Sequence, residues 1–287
     1  MNRQTAIVTG GTGGLGLETA RGLIRAGLDV TIIGRDTAKG RRALADLERD
    51  AVAGQAVAFE AADLSSLAEI RRVTGVVDRD QRPLDVLVNN AGAFFKTREL
   101  TPDGLERTMA TNHFSMFVLT ALLFHRLDAA PTARIVNVAS SIYRMGKLDP
   151  ADLDFVRGYS GTKAYAVSKL ANIMFTLELA RHLRGTRVTA NALNPGAVRS
   201  DFNRYLKAWW LRWLTLAPEV AAQTPLYLAL SPDLAGRTGG YYDSKRRRMP
   251  LLAHARDDGA NARLWELSEA LSGHPWEAAL AASADAA

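Results

Sequence analysis

The sequence predicts an α/β protein, a doubly wound sandwich of about seven parallel strands with helices on both faces. Three observations carry that prediction. Short runs of β-branched and apolar residues alternate with longer stretches of helical periodicity along the chain. The runs are continuously apolar, as strands covered on both faces must be. No repeat, linker or composition shift divides the sequence, so residues 1–287 read as one domain. Apolar residues make up 47% and charged residues 23%, which excludes disordered and low-complexity classes. The chain has no cysteine, so a disulfide framework, a thiolate metal site and a cysteine nucleophile are excluded. Thirty-six basic against 30 acidic residues leave a net charge of +6, an excess that suits an anionic small molecule.

The elements follow in order. Ala6-Ile7-Val8 is the first strand, and Leu15 to Ala26 the first helix, closed by Gly27. Val30 to Ile33 is the second strand, followed by a charged helix ending near Gly54. Ala56 to Phe59 is the third, with a helix from Ser66. Val86-Leu87-Val88 is the fourth, with one helix from about Asp103 to Leu127. Ile135 to Val138 is the fifth, Thr162 to Leu183 a long helix, Val188 to Leu193 the sixth strand and Thr238 to Tyr242 the seventh. Right-handed crossovers wind these into the sandwich. Ser141 to Gly158 and Ala197 to Pro218 are long irregular connections after strand ends, where ligands bind in this architecture. The second, about 197–218, holds Trp209, Trp210 and Trp213. It reads either as a lid over a hydrophobic substrate or as packing against the core or a partner subunit. Residues 205–214 are aromatic, apolar and basic, which also suits association with a membrane surface. Ala278 to Ala287 reads as a frayed tail. The N-terminus reaches glycines before a signal-type apolar region forms, and the stretch Phe114 to Phe124 is too short to span a bilayer. No transmembrane segment and a cytoplasmic location are therefore expected.

The first strand runs through Thr9-Gly10-Gly11-Thr12-Gly13-Gly14-Leu15-Gly16 straight into a helix. Glycines let the backbone approach a phosphate, and the helix N-terminus offers free N–H donors and partial positive charge. This is the pattern of a Rossmann-type dinucleotide site, with Gly10, Thr12, Gly14, Leu15 and Gly16 as first candidates. No Gly-Lys-Ser/Thr ending follows, which argues against a P-loop NTPase. The second strand ends Ile33-Gly34-Arg35-Asp36. An acidic residue at the tip would bind ribose hydroxyls and favour NAD, whereas arginine would neutralise a 2′-phosphate. Gly34 holds the tip and Arg35 follows, so NADP(H) is favoured over NAD(H); the alternative has Arg35 solvated and Asp36 on the ribose. Asp63, beside Leu64, is placed to accept from the adenine amine, and Asp-Leu-Ser also reads as an N-cap. Asn90, Ala91 and Gly92 let the backbone lie against the adenosine side.

The glycine loop, Asn89-Asn90-Ala91-Gly92, Asn112, Ser140, Tyr165-x-x-x-Lys169 and Asn194-Pro195-Gly196 stand in order at successive strand ends. Together they resemble the short-chain dehydrogenase/reductase superfamily over nearly the whole chain. Tyr159 to Tyr165, Ser168-Lys169-Leu170-Ala171-Asn172 and Leu264-Trp265-Glu266-Leu267-Ser268 resemble its retinol-dehydrogenase-like branch. The resemblance implies a NAD(P)-dependent alcohol dehydrogenase or carbonyl reductase acting on a lipophilic small molecule. It also implies that Asn112 holds a water linking Lys169 to solvent. Pro195 and Gly196, with Val198, should pass over the nicotinamide, and Ser200 stands where relatives often carry threonine.

The chemistry supports that implication. Hydride delivery to a carbonyl creates an alkoxide that needs a proton. A free tyrosine, with a pKa near 10, exchanges protons poorly at neutrality. Lys169, one helical turn after Tyr165, would favour the tyrosinate together with a nicotinamide cation. Lys169 would also bind the nicotinamide ribose, and Ser140 would hydrogen-bond the substrate oxygen. Tyr159 and Lys163 satisfy the same spacing and compete, as Ser141 does with Ser140, since neighbouring extended residues point oppositely. The five histidines are scattered, so no metal site is expected, and Lys245 to Arg248 reads as a solvated run rather than a nucleic-acid surface. A monomer or a homodimer formed on the fourth and fifth helices is expected. A binding protein of the same fold that has lost its chemistry, a regulator or scaffold, is the alternative function.

Overall fold

A computed structural model of the chain describes residues 3–199, 215–276 and 279–280. Ser200, the tryptophan segment 205–214 and the tail after 280 lie outside the described residues.

Seven strands form one parallel sheet: β1 (Thr5–Thr9), β2 (Asp29–Gly34), β3 (Val57–Ala61), β4 (Val86–Asn89), β5 (Ala133–Val138), β6 (Val188–Leu193) and β7 (Tyr241–Tyr242). Their order is β3-β2-β1-β4-β5-β6-β7. The chain starts in the middle, winds outward to β3, returns to β4 beside β1 and winds outward the other way. The reversal between β1 and β4 opens a crevice beyond their C-terminal ends.

Alternation along the strands feeds two cores. Ala6 and Val8 of β1 join Val86, Val88, Val136 and Val138 under α1 (Gly14–Arg25), α2 (Thr37–Leu47) and α9 (Gln223–Leu230). Ile7, between them in sequence, points the other way and joins Leu87 and Ile135 under α3 (Leu67–Val77), α5 (Ser115–Leu122) and α7 (Gly161–His182). The C-terminal helix α10 (Asp258–Ser272) lies over α7. Its Trp265 stacks on Phe175 at 5.8 Å and meets Phe117 edge-on at 5.2 Å, and Trp276 closes the cluster, fully buried. This cover sits on the helices expected to offer a homodimer surface.

Several elements differ from the sequence reading. α2 ends at Leu47 and a 3-10 turn ends at Asp50, short of Gly54, where Arg21 and Arg25 of α1 hold the Asp50 carboxylate. The helix expected over 103–127 is four pieces. Glu106 caps its start by accepting from Thr108 and Met109 N–H, both at 2.9 Å. Then come α4 (Arg107–Met109), a π segment (Ala110–Phe114), α5 and α6 (Phe124–Asp128). Nearly every residue here is buried, so apolar periodicity carries no sign of the π insertion. β7 is two residues because Gly239, at φ +69°, turns the chain just before it. The connection 141–158 is tied down by Tyr143, fully buried against Tyr241, and by Asp152, whose side chain accepts from Val156 N–H at 2.7 Å. A short helix, α8 (Pro218–Ala221), precedes α9.

Candidate active site

A crevice of about 440 Å³ lies beyond the C-terminal ends of β1, β4, β5 and β6. Of the residues predicted for the site, Gly10, Gly14, Leu15, Gly16, Asn90, Ala91, Gly92, Ser140, Tyr165, Lys169, Pro195, Gly196 and Val198 line it. Gly13, Lys39, Val138, Ala139, Ile142 and Ala197 line it too, and sequence reasoning missed them.

One end is made of backbone. Gly10 takes φ +64°, and a Cβ on Gly16 would come within 2.3 Å of the Gly10 carbonyl oxygen. Thr9 and Asn90 staple this loop to the exit of β4. Thr9 Oγ1 accepts from the Asn90 and Ala91 N–H groups, each at 3.0 Å, and Asn90 Nδ2 donates to the Thr9 carbonyl at 2.8 Å. Asn90 thus shapes the loop as well as lining the crevice. α1 begins at Gly14 with no side-chain cap, so its first N–H donors are left for an anion.

Four predicted cofactor residues stand away from the crevice lining. The Thr12 methyl sits where a Cβ on Gly34 would be, 2.6 Å away. Leu64 is buried in the core beside Leu67, so its side chain packs. Asp63 Oδ1 accepts from Ser65 N–H and Oγ–H at 2.9 and 2.8 Å, while the N-cap of α3 is Ser66. The expected Asp63 cap is therefore one turn misplaced. Arg35 is exposed at the end of β2. Asp36, its competitor for the ribose, caps α2 by accepting from Lys39 N–H at 2.8 Å. Lys39 extends over the glycine loop, and a Cβ on Gly13 would lie 2.9 Å from its ammonium. Its signal in the sequence was a second cation one helical turn after Arg35.

The other end is made of buried side chains. Lys169 on α7 is 3% exposed and donates from Nζ to the Val138 carbonyl at 3.0 Å. Its Nζ lies 5.6 Å from the Tyr165 ring centroid. Phe94 meets the Tyr165 ring edge-on at 6.1 Å. Asn172 Nδ2 shares the Val138 carbonyl at 3.3 Å. Ser168 Oγ donates to the Tyr165 carbonyl at 2.8 Å and accepts from Asn112 Nδ2 at 2.9 Å. Ser140, extended at φ −164°, lines the crevice and accepts from Ile142 N–H at 3.4 Å, whereas Ser141 is exposed in the following turn. Tyr159 precedes α7 and donates to the Phe95 carbonyl at 2.9 Å, and Lys163 is exposed. The competing pair therefore lines no part of the crevice.

The Asn112 amide is engaged inside the fold: Oδ1 accepts from Ala93 N–H at 2.7 Å, and Nδ2 donates to the Ala93 carbonyl and Ser168. Without a nicotinamide cation, the protein groups do not acidify Tyr165. Burial pushes its hydroxyl well above the ordinary tyrosine range and pulls Lys169 down to about 8.

The short chain dehydrogenase family model matches residues 4–210. The chain belongs to that family. It is 37% identical over 295 residues to retinol dehydrogenase 14 of Mus musculus, covering 95% of this chain and 87% of that one. It is likewise 37% identical over 279 residues to retinol dehydrogenase 12 of Homo sapiens, covering 96% and 88%. A solved structure of an uncharacterized protein from Mycobacterium Paratuberculosis is similar at TM-score 0.76 and 33% identity, over 94% of this chain and 93% of that one. A variant of actinorhodin polyketide ketoreductase, solved with NADPH, is similar at TM-score 0.69 and 27% identity, over 84% and 95%. The chain is thus an oxidoreductase of the retinol-dehydrogenase-like branch, in a family that binds NAD(P). Its donor set fits such a cofactor: a cradle that a Cβ would fill, an uncapped helix N-terminus and a buried ammonium. Among the described residues, no group of three His, Asp or Glu could hold a metal ion, and no helix is long and apolar enough to cross a membrane.

Proposed function

We propose that the chain interconverts a carbonyl and an alcohol on a hydrophobic small molecule, using NADP(H), with Tyr165 as proton donor in reduction and proton acceptor in oxidation. What supports this most is the convergence of Ser140, Tyr165 and Lys169 on one crevice beside the uncapped start of α1. The cofactor supplies or accepts the hydride. Ser140 Oγ–H donates to the substrate oxygen and holds it beside the phenol. Lys169 is held by Val138 near the tyrosine ring, and its positive charge favours the tyrosinate. Burial opposes ionisation of both groups, so the pair needs the added charge of an oxidised nicotinamide to bring the phenol down. Ile142, Phe94 and Val198 give the reacting end an apolar lining or border, which favours a lipophilic substrate.

The preference for NADP(H) is supported by Lys39 over the glycine loop, by the exposed Arg35 at the end of β2 and by Asp36, which is engaged as a helix cap. NADPH consumption across a panel of ketones and aldehydes tests the activity. Turnover of at least one lipophilic carbonyl, faster with NADPH than with NADH, is expected. Tight NADPH binding without turnover of any carbonyl would instead mark a cofactor-binding regulator.

A further inference from the structure

The C-terminal helix carries Leu264-Trp265-Glu266-Leu267-Ser268, which the proposed chemistry does not use. One of its residues contacts the π segment that carries Asn112. Ser268 Oγ lies 2.8 Å from Nε2 of His113, and both residues are fully buried. His113 follows Asn112 directly in the π segment, 155 residues away from Ser268 in the chain. The proton positions in this contact can be deduced. Ser268 Oγ donates its one proton to the Leu264 carbonyl at 2.7 Å. It must therefore accept from His113, which makes His113 the neutral Nε2–H tautomer. Nδ1 is then a buried acceptor, and it has no partner among the described residues.

That arrangement is costly for a group that only fills space. The ring sits among Phe114, Phe117 and Phe175, with centroids at 5.2 to 6.3 Å, where another phenylalanine would leave no polar atom orphaned. The imidazole is also no pH switch, because burial holds it neutral, pulled down to about 3. What a histidine adds here is one directed hydrogen bond. That bond pins the π segment to α10. On the neighbouring residue, Asn112 grips Ala93 and, through Ser168, the Tyr165 carbonyl. α10 in turn packs on α7, which holds Tyr165 and Lys169. A π insertion is one residue away from an ordinary α-helical register, so its register needs such a fixing point.

We propose that the His113–Ser268 hydrogen bond is a positioning link, through which the C-terminal helix sets the π segment and so the placement of Asn112 against Ala93, Ser168 and Tyr165. The catalytic part of this rests on the function proposed above; the structural part does not.

The test uses the full chain in four forms: wild type, Ser268→Ala, His113→Phe and His113→Gln. The glutamine variant keeps an N–H donor near the place of Nε2. Two readouts are taken well below each variant's Tm: hydrogen exchange of the Ala93 amide, which donates to Asn112, and the pH profile of kcat for carbonyl reduction. Ser268→Ala and His113→Phe should speed Ala93 exchange about tenfold, lower kcat about tenfold with KM for NADPH little changed, and shift the profile. His113→Gln should recover most of both. Ala93 exchange at the wild-type rate in Ser268→Ala would overturn the link, whatever the activity. Faster exchange with an unaltered kcat and pH profile would overturn its catalytic part. If the wild type reduces no carbonyl while Ala93 exchange still rises, the proposed function fails and the link stands.

Discussion

The two ends of the crevice are built from different materials. The glycine-loop end is backbone, shaped by missing side chains and stapled by Thr9 and Asn90. The Tyr165 end rests on buried side chains, Lys169 in the lining and Ser168, Asn112 and Asn172 outside it, each held by a partner far away in sequence or one turn along α7. A backbone site is broken by adding atoms, and a side-chain site by removing them. The two kinds of damage should also separate in measurement: the first in cofactor affinity, the second in turnover.

Lys169→Met should give the largest loss at the side-chain end. It removes the charge beside Tyr165 and leaves the Val138 carbonyl with Asn172 alone. A fall in kcat of about 10²- to 10³-fold is expected, against no more than about tenfold in NADPH affinity. The same variant carries a pH signature. The folded-state pKa of Lys169 is lowered to about 8 from an unfolded value of 10.5. The unfolded chain therefore binds more protons between those values, and this group makes the fold more stable as pH rises from about 8 towards 10.5. The gain is roughly 3 kcal/mol at most. Denaturant titrations should show this rise in the wild type and its loss in Lys169→Met.

Gly16→Val should do the reverse. Its Cβ would strike the Gly10 carbonyl and the Asn90 amide, at 2.3 and 2.4 Å, so the loop must open. NADPH affinity should fall about 100-fold by fluorescence titration, a loss of about 3 kcal/mol. Equal losses of affinity in Gly16→Val and Lys169→Met would erase the distinction between the two ends.

The smallest effect concerns cofactor choice. Arg35→Ser and Lys39→Ser should each lower the NADPH-to-NADH ratio of kcat/KM by about tenfold, the size of one charge-assisted phosphate contact. An unchanged ratio in both would return the choice to Asp36.

The same division explains what the sequence could reveal. The glycine loop was legible because a strand, a run of glycines and a helix lie contiguous, and because Gly10 and Gly16 leave no room for a Cβ. One helical turn between a tyrosine and a lysine marked two candidate pairs, and only the fold shows that Tyr165 and Lys169 line the crevice while Tyr159 and Lys163 do not. The sheet was legible from continuous apolar runs at the first six strands, and the seventh occupies the last two residues of its expected span. What stayed hidden is made of long-range contacts. The Asn112 amide bonds Ala93 and Ser168 across the fold, contacts that no local pattern announces. The π segment was invisible because a nearly fully buried stretch has no exposed face to mark its period. Lys39 was missed because only the folded turn of α2 brings its ammonium over Gly13. The packing of the Thr12 side chain on Gly34 and of Leu64 in the core was hidden for the same reason.

The most direct test compares two tyrosines that share the same spacing to a lysine. kcat/KM for reduction of a lipophilic ketone by NADPH is measured in Tyr165→Phe and Tyr159→Phe. The first should fall about 10³-fold with NADPH affinity retained, the second by less than about threefold. Turnover surviving in Tyr165→Phe and lost in Tyr159→Phe would contradict the account.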